Sequence, residues 1–419
     1  MEPRDAVVKE VERLVLHVPF HERCRRTMEV YGSGWSIVEL CRVTLAGGVV
    51  GVGETIQGYT WGRSGEEQFN RMRGRNLFDC LWDDGLGAGL QMALFDAAGR
   101  LLGVPCHRLL GVQHRTACPV SWWAQSMPPE EWVAEAREAE RHGFTTMKAK
   151  ARPWYDVEAQ LAAVSRAVSP HFRLDLDFNG LLLGVDAAAP LIARLEEQYP
   201  LLAIVESPLP QEDVPGNVLL RSKIRSPIAM HIGSPPVQTA IREGVCDGFV
   251  LGGGARRVVE DGILCEQMKM PCWLQMVGTG LTTTFAVHLG AVLKEARWPA
   301  IPCINIYSHP LIHGFRIEGG MAAVPQEPGL GVEVDWDAVE QFRVDPGFVK
   351  PAMRQIHLIR WPDGRQSWYP SGAYRGDFLA GRLTGFLPGI SLEVRLDDGS
   401  EAFDREYRER FPNAEGRRP

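Results

Sequence analysis

No run of 18 consecutive apolar residues occurs anywhere in the 419-residue sequence, and no apolar core follows the opening MEPRDAVVKEVE. Nothing in it reads as a membrane span or a secretory signal, so a cytoplasmic protein without a membrane partner is expected. A basic stripe is also missing. The 45 Lys and Arg residues are outnumbered by 52 Asp and Glu, the net charge is −7, and the cations are dispersed. Counterion release from nucleic acid requires clustered cations, which argues against nucleic acid as a partner. Cys-x-x-Cys spacing is absent too. The nine cysteines, Cys24, Cys41, Cys80, Cys106, Cys118, Cys246, Cys265, Cys272 and Cys303, are odd in number and scattered, which reads as free buried thiols. With 44 Gly and 29 Pro the chain falls short of low-complexity composition, and 45% hydrophobic residues suffice for a sizeable core.

What is present is a repeating pattern. From residue 117 to 307, short apolar runs alternate with helical patterns, as βα units of a parallel sheet do. Eight strand candidates can be counted: 117–123, 145–150, 172–178, 201–207, 227–233, 247–253, 271–277 and 303–307. Between them lie helices such as 130–143, with Trp132, Val133, Ala136 and Ala139 near one face and Gly143 just past the end. No dinucleotide fingerprint follows the first strand, so the pattern predicts an α/β fold of the (β/α)8 (TIM-type) barrel kind rather than a doubly wound sheet. The Gly252-Gly253-Gly254 run reads as a tight βα turn, with a phosphate nest as the alternative.

The flanks differ. Residues 1–115 alternate like antiparallel strands joined by a hairpin near Gly47-Gly48, followed by a helical stretch at 89–103, and predict an α+β capping domain. The barrel is assigned to 116–313 and a return segment of short strands and turns, completing the capping domain, to 314–350. Residues 351–419 read as a C-terminal appendage, strand-rich with a Pro362-Asp363-Gly364 turn and then frayed.

Residues two apart in a strand share a side, so Lys148 and Lys150 point together, as do Asp175 and Asp177 on the next strand, whose face Asn179 continues. The fourth strand candidate ends in Glu206 and the fifth in His231. In a barrel these groups meet at the C-terminal rim, where active sites of this fold lie. A structural ion-pair network closing the barrel is the competing reading. Asp177 and Glu206 offer the hard oxygens that Mg²⁺ uses, and His231 as a third ligand shifts preference toward Mn²⁺ or Zn²⁺.

These motifs bring a known family into view. Residues 8–345 resemble the enolase superfamily, in its mandelate racemase and muconate lactonizing enzyme branch. The stretch 92–111 looks like the helix closing the capping domain, and Lys148-Ala149-Lys150 resembles the Lys-x-Lys motif of the second barrel strand. Asp177-Phe178-Asn179-Gly180 and Glu206-Ser207-Pro208 resemble the first two metal-ligand motifs, and 324–335 the segment returning to the capping domain. The resemblance implies a divalent metal, Mg²⁺ in the family, on a small carboxylate substrate, with Lys150 as the base beside Lys148. A homo-oligomer is expected.

The chain also departs from the family pattern. His231, in Pro227-Ile228-Ala229-Met230-His231, stands where the family's third acidic ligand would. The sixth strand, Phe249 to Gly253, lacks the titratable group of either branch, and Gln275 falls where racemases place a His. Two-base proton transfer needs a donor opposite the acceptor, so racemisation and epimerisation are disfavoured, and a cycloisomerase is a further, lesser alternative. The expected enzyme is a metal-dependent, dehydratase-like lyase of small organic or sugar acids, using Lys150 as its single base. The alternative is a non-catalytic homologue retaining only the fold and a ligand pocket. Loops 19–35 and 56–65 fall where substrate would be covered; Asn179, Gln275, Tyr31 and Trp61 are candidate substrate contacts, with Trp35, Tyr59, Arg25, Arg26 and Arg63 nearby.

Overall fold

The structure is a computed structural model that describes residues 3–57, 59 and 62–412. Its first layer is an antiparallel sheet of Val8–His17, Ile37–Leu45 and Val50–Ile56, in which the second strand lies between the other two. The hairpin turns at Gly48, whose φ of +84° suits glycine. On the outer edge Arg343–Val344 pairs with Val8–His17, so the chain comes back to this sheet after the barrel.

The helix Ala88–Leu102 lies on the sheet at very short range, because Gly51 and Gly53 leave room for its backbone. A Cβ on Gly53 would sit 2.3 Å from the Gly89 carbonyl oxygen and 2.6 Å from the Ala93 nitrogen. Buried Asp96 of that helix accepts hydrogen bonds from the amides of Val52, at 2.9 Å, and Leu330, at 2.8 Å. One carboxylate thus ties helix, sheet and return segment together.

Seven parallel strands follow, each beside the next in chain order: Trp122–Ala124, Thr146–Lys150, Arg173–Asp177, Leu202–Glu206, Ile228–His231, Gly248–Leu251 and Cys272–Leu274. Their burial on both faces suits the continuous apolar runs of the sequence. The barrel closes through two parallel bridges, Ile301 to Gln275 and Ala300 to Val120. The eighth strand is therefore at 300–301 and not at 303–307. Pro302 cannot donate to a ladder, Cys303 takes a left-handed φ of +58°, and Ile304–Ile306 is a short 3₁₀ helix. Asn305 replaces strand pairing with side-chain bonds, accepting from the Trp123 amide at 3.1 Å and donating to its carbonyl at 2.8 Å.

Other expectations are refined. The run 117–123 divides: Ala117–Pro119 pairs antiparallel with Met321–Ala323, while Val120, through its bridge to Ala300, and Trp122–Ala124 enter the barrel. In the return segment Trp336–Phe342 is a helix, capped by Asp335, where short strands and turns were expected. The Gly252-Gly253-Gly254 turn is not a phosphate nest, because the Asp84 carboxylate already accepts from the amides of Arg256 and Arg257. All nine cysteines are free and buried. Among the described residues no helix is long and apolar enough to cross a membrane.

The tail forms a three-stranded sheet with Gln355–Arg360 between Gln366–Tyr369 and Ser391–Leu396. Its end is not frayed as far as the structure describes it. Glu401–Arg410 is a helix whose Phe403 and Tyr407 bury against Ile356. Ser400 caps it, the Phe403 amide donating to its hydroxyl at 3.1 Å. The tail sheet packs Ile359, Trp361 and Tyr374 on Trp154 and Tyr155, from the loop after the second barrel strand.

Replacing Gly53 by Ala should destabilise the protein by about 1–3 kcal/mol through overpacking against the helix backbone, read as a lowered urea midpoint at unchanged m-value. Unchanged stability would show that the helix can move away from the sheet at little cost.

Candidate active site

The strand register sets the chemistry. Lys148 is aligned with Asp175, Lys150 with Asp177, and Asp177 in turn with Glu206, so these charges lie level at the C-terminal ends of three adjacent strands. His231 ends the next strand, its Nε2 3.2 Å from Glu206 Oε1. The Lys148, Asp177 and Glu206 side chains have no exposure, whereas that of His231 is 41% exposed.

Lys148 sits between the carboxylates, its Nζ 2.5 Å from Glu206 Oε2 and 3.3 Å from Asp177 Oδ2. It donates to Gln275 Oε1 at 2.8 Å, and Gln275 Nε2 donates to the Tyr59 hydroxyl at 2.6 Å. Lys150 donates to Asp177 Oδ2 and, at 3.2 Å, to Asn179 Oδ1. Asn179 holds a left-handed φ of +47°, a conformation Asn tolerates, and its amide donates to Asp177 Oδ1 at 2.8 Å.

The two lysines titrate in opposite directions. Burial works against the charge on Lys148, but Glu206 and Asp177 outweigh it and hold its pKa above the ordinary lysine value. For Lys150 burial prevails over the attraction of Asp177, Lys148 adds repulsion, and the pKa falls. Burial would raise the Asp177 carboxyl, yet Lys150, Lys148 and Arg152 hold it well below the usual range. Asp175 is pushed up to about 7 by burial, which Lys148 only partly offsets.

Above these groups opens a cavity of about 450 Å³. Of the residues picked out from sequence, Tyr31, Lys150, Asn179, His231 and Gln275 line it, together with the loop aromatics Trp35 and Tyr59. Lys148, Asp177 and Glu206 are in contact with lining groups but do not line it themselves. Trp61 lies outside the described residues. Arg25, Arg26 and Arg63 do not reach the cavity, because Glu22, Glu131 and Glu39 pair with them. Sequence reasoning missed Trp123 and Gln125 at the end of the first strand, Arg152 and Trp154 past the second, and Gly372, Tyr374 and Arg375 of the tail. Arg152 continues the alternation of Lys148 and Lys150, a readable signal; the tail residues carry none. A wider cleft of about 640 Å³ lies between 78–84 and 256–261, where Arg256 pairs with Glu260 and Arg257 with Asp261.

The donor set fits a divalent cation. Both oxygens of buried Glu206 lack a hydrogen bond and make only charge contacts, and Asp177 is its cross-strand neighbour. Two carboxylates with an imidazole beside them suit Mg²⁺, Mn²⁺ or Zn²⁺. Among the described residues no three such groups already converge as a ligand cluster; the Lys148 ammonium contacts both carboxylates.

A closed parallel barrel with buried cations and carboxylates at its C-terminal rim defines a protein of the TIM-barrel enzyme type. Residues 131–338 match the family described as enolase C-terminal domain-like. Muconate cycloisomerase 1-2 of Acinetobacter lwoffii is 25% identical over 380 residues, 81% of this chain and 96% of that protein. The probable glucarate dehydratase of Streptomyces coelicolor is 27% identical over 288 residues, 59% of this chain and 63% of that one. Among solved structures, an enolase from Thermobispora bispora complexed with magnesium and formate superposes with a TM-score of 0.65 at 20% identity, covering 80% of this chain and 92% of that one. The chain belongs to the enolase superfamily, in its mandelate racemase and muconate lactonizing enzyme branch.

Lys148→Met should cost about 3–5 kcal/mol in chelator, since it leaves two buried carboxylates without their shared ammonium. Added Mg²⁺ or Mn²⁺ should raise the melting temperature of this variant more than that of the parent. An equal shift in both would show that ammonium and metal do not balance the same carboxylates.

Proposed function

We propose that the chain is a lyase that removes the proton α to the carboxylate of a small organic or sugar acid, with Lys150 as its single base. The observation carrying this reading is the contrast between the lysines: both contact Asp177, but only Lys150 lines the cavity and only its pKa is lowered. A lysine whose pKa is brought down toward the working pH is a more effective general base.

Asp177, Glu206 and His231 are the side chains that would hold a divalent cation, and the chemistry it supplies when bound is Lewis-acid stabilisation of charge growing on the substrate carboxylate. Lys150 Nζ takes the α-proton, and Asp177 and Asn179 fix its position. The electron pair of the broken C–H bond forms a double bond to the β-carbon as the β-substituent leaves with its own pair. That leaving group, a hydroxyl in a dehydration, takes up a proton, and protonated Lys150 is the donor at hand. Lys148 keeps its charge and steadies the carboxylates, while Gln275 fixes Lys148 and Tyr59.

The barrel strand Gly248–Leu251 carries no acid or base, so it presents no second proton carrier to a substrate that meets Lys150. In D₂O with Mg²⁺ or Mn²⁺, a panel of α-hydroxy and sugar acids should show deuterium exchange or elimination without inversion, and Lys150→Ala should lower it by at least about 10²-fold. Racemisation, or unchanged turnover in Lys150→Ala, would overturn the single-base reading. Inactivity across the panel would favour a homologue that only binds.

A further inference from the structure

We propose that the tail supplies the cavity with a second anion subsite, formed by Arg152 and Arg375, and that the substrate is a small acid carrying a second carboxylate at its far end. The proposal rests on the α-proton reading for which end of the substrate meets Lys150.

Arg375 is exposed, and its backbone is fixed at the cavity by the packing of its neighbour. Its neighbour Tyr374 is 1% exposed, packs edge-on to Trp154 with centroids 4.5 Å apart, and shares a 2.9 Å hydrogen bond with the Tyr31 hydroxyl. The tail is pinned again where the Phe386 amide donates to the Pro153 carbonyl and the Gly389 amide to Asp156 Oδ2, each at 2.7 Å. One tyrosine thus joins the capping layer, the barrel loop and the tail at the cavity wall, and the next residue offers a guanidinium to the cavity.

Neither guanidinium has an acidic partner. Arg152 donates only to neutral acceptors: the Ala151 and Asp177 carbonyls, at 2.8 and 3.0 Å, and Asn179 Oδ1, at 2.5 Å. The Arg375 side chain makes no hydrogen bond or ion pair among the described residues, yet it lines the same cavity. Burial lowers the Arg152 pKa, Asp177 opposes this, and the like charge of Arg375 adds to the lowering. Two cations directed into one cavity without a counterion form a site for an anion, and planar guanidinium forks match carboxylate geometry best. Asp177 and Glu206 are already engaged by Lys148 and Lys150, so neither forms an ion pair with the two guanidiniums. The family match ends at residue 338, so Arg375 lies outside it.

Calorimetric titration of the full chain with succinate, glutarate, adipate and 3-phosphonopropionate, each against butyrate, tests this without turnover. At least one dicarboxylate should bind tenfold or more tighter than butyrate. Arg375→Gln should remove most of that advantage while changing butyrate affinity less than twofold, and Arg375→Lys should restore part of it. Preference for 3-phosphonopropionate over every dicarboxylate would overturn the carboxylate assignment. Equal binding of mono- and dianions, or an Arg375→Gln loss shared by butyrate, would overturn the subsite. Lys150-dependent exchange that persists beside equal binding would leave the proposed function standing and this inference refuted. Dianion preference without any exchange would do the reverse.

Discussion

Everything at the rim depends on one buried ammonium. Lys148 contacts Glu206 and Asp177 with all three side chains closed to solvent. Desolvating such ions costs several kcal/mol each, and the cost is met only when opposite charges are held close. The strand register holds them close, since the pairing of Lys150 with Asp177 and of Asp177 with Glu206 leaves little freedom to slip. A slip of one residue would turn each of these side chains to the other side of the sheet. Barrel closure and site assembly are in this sense a single constraint. The Lys150 proton affinity is lowered first by its burial, and the charge on Lys148 adds repulsion.

How far the sequence disclosed this arrangement depended on whether the signal was periodic. Alternation by two placed Lys148 with Lys150 and Asp175 with Asp177, and both pairs lie aligned in the barrel. The helix Ala88–Leu102 and the hairpin at Gly48 were likewise legible, from apolar pattern and turn chemistry. The last barrel strand was not. Apolar residues at 303–307 imitate a strand, while the chain passes the closing position earlier, at Ala300 and Ile301, and Pro302 stops it there. Apolar composition alone cannot reveal a strand two residues long. In the tail, Glu401–Arg410 is so rich in charge that it read as a frayed end, although Phe403 and Tyr407, four residues apart, give it a buried face.

The same division explains which site residues were missed. Groups at strand ends carry their position in the strand period, and Gln275 was located in that way. Loop residues carry no period. Arg25, Arg26 and Arg63 looked suited to an anion by charge alone, and each is paired with a glutamate. Arg375, which the sequence did not single out, lines the cavity with no ion-pair partner among the described residues. Composition cannot tell these cases apart, since the difference lies in which acidic residue happens to be near.

The departures of this chain from its family can then be understood together. Without a titratable group on Gly248–Leu251, the sixth strand orients no proton and contributes apolar packing instead, Phe249 and Leu251 being buried. Polar recognition there falls to Gln275, whose amide is fully engaged by Lys148 and Tyr59. Besides Lys150 and His231, the basic side chains that line the cavity among the described residues are Arg152, from the loop after the second strand, and Arg375, from the tail. The tail is docked by the buried contacts of Tyr374 with Tyr31 and Trp154, and those contacts lie at the cavity wall. The tail thus forms one wall of the same cavity as the barrel rim.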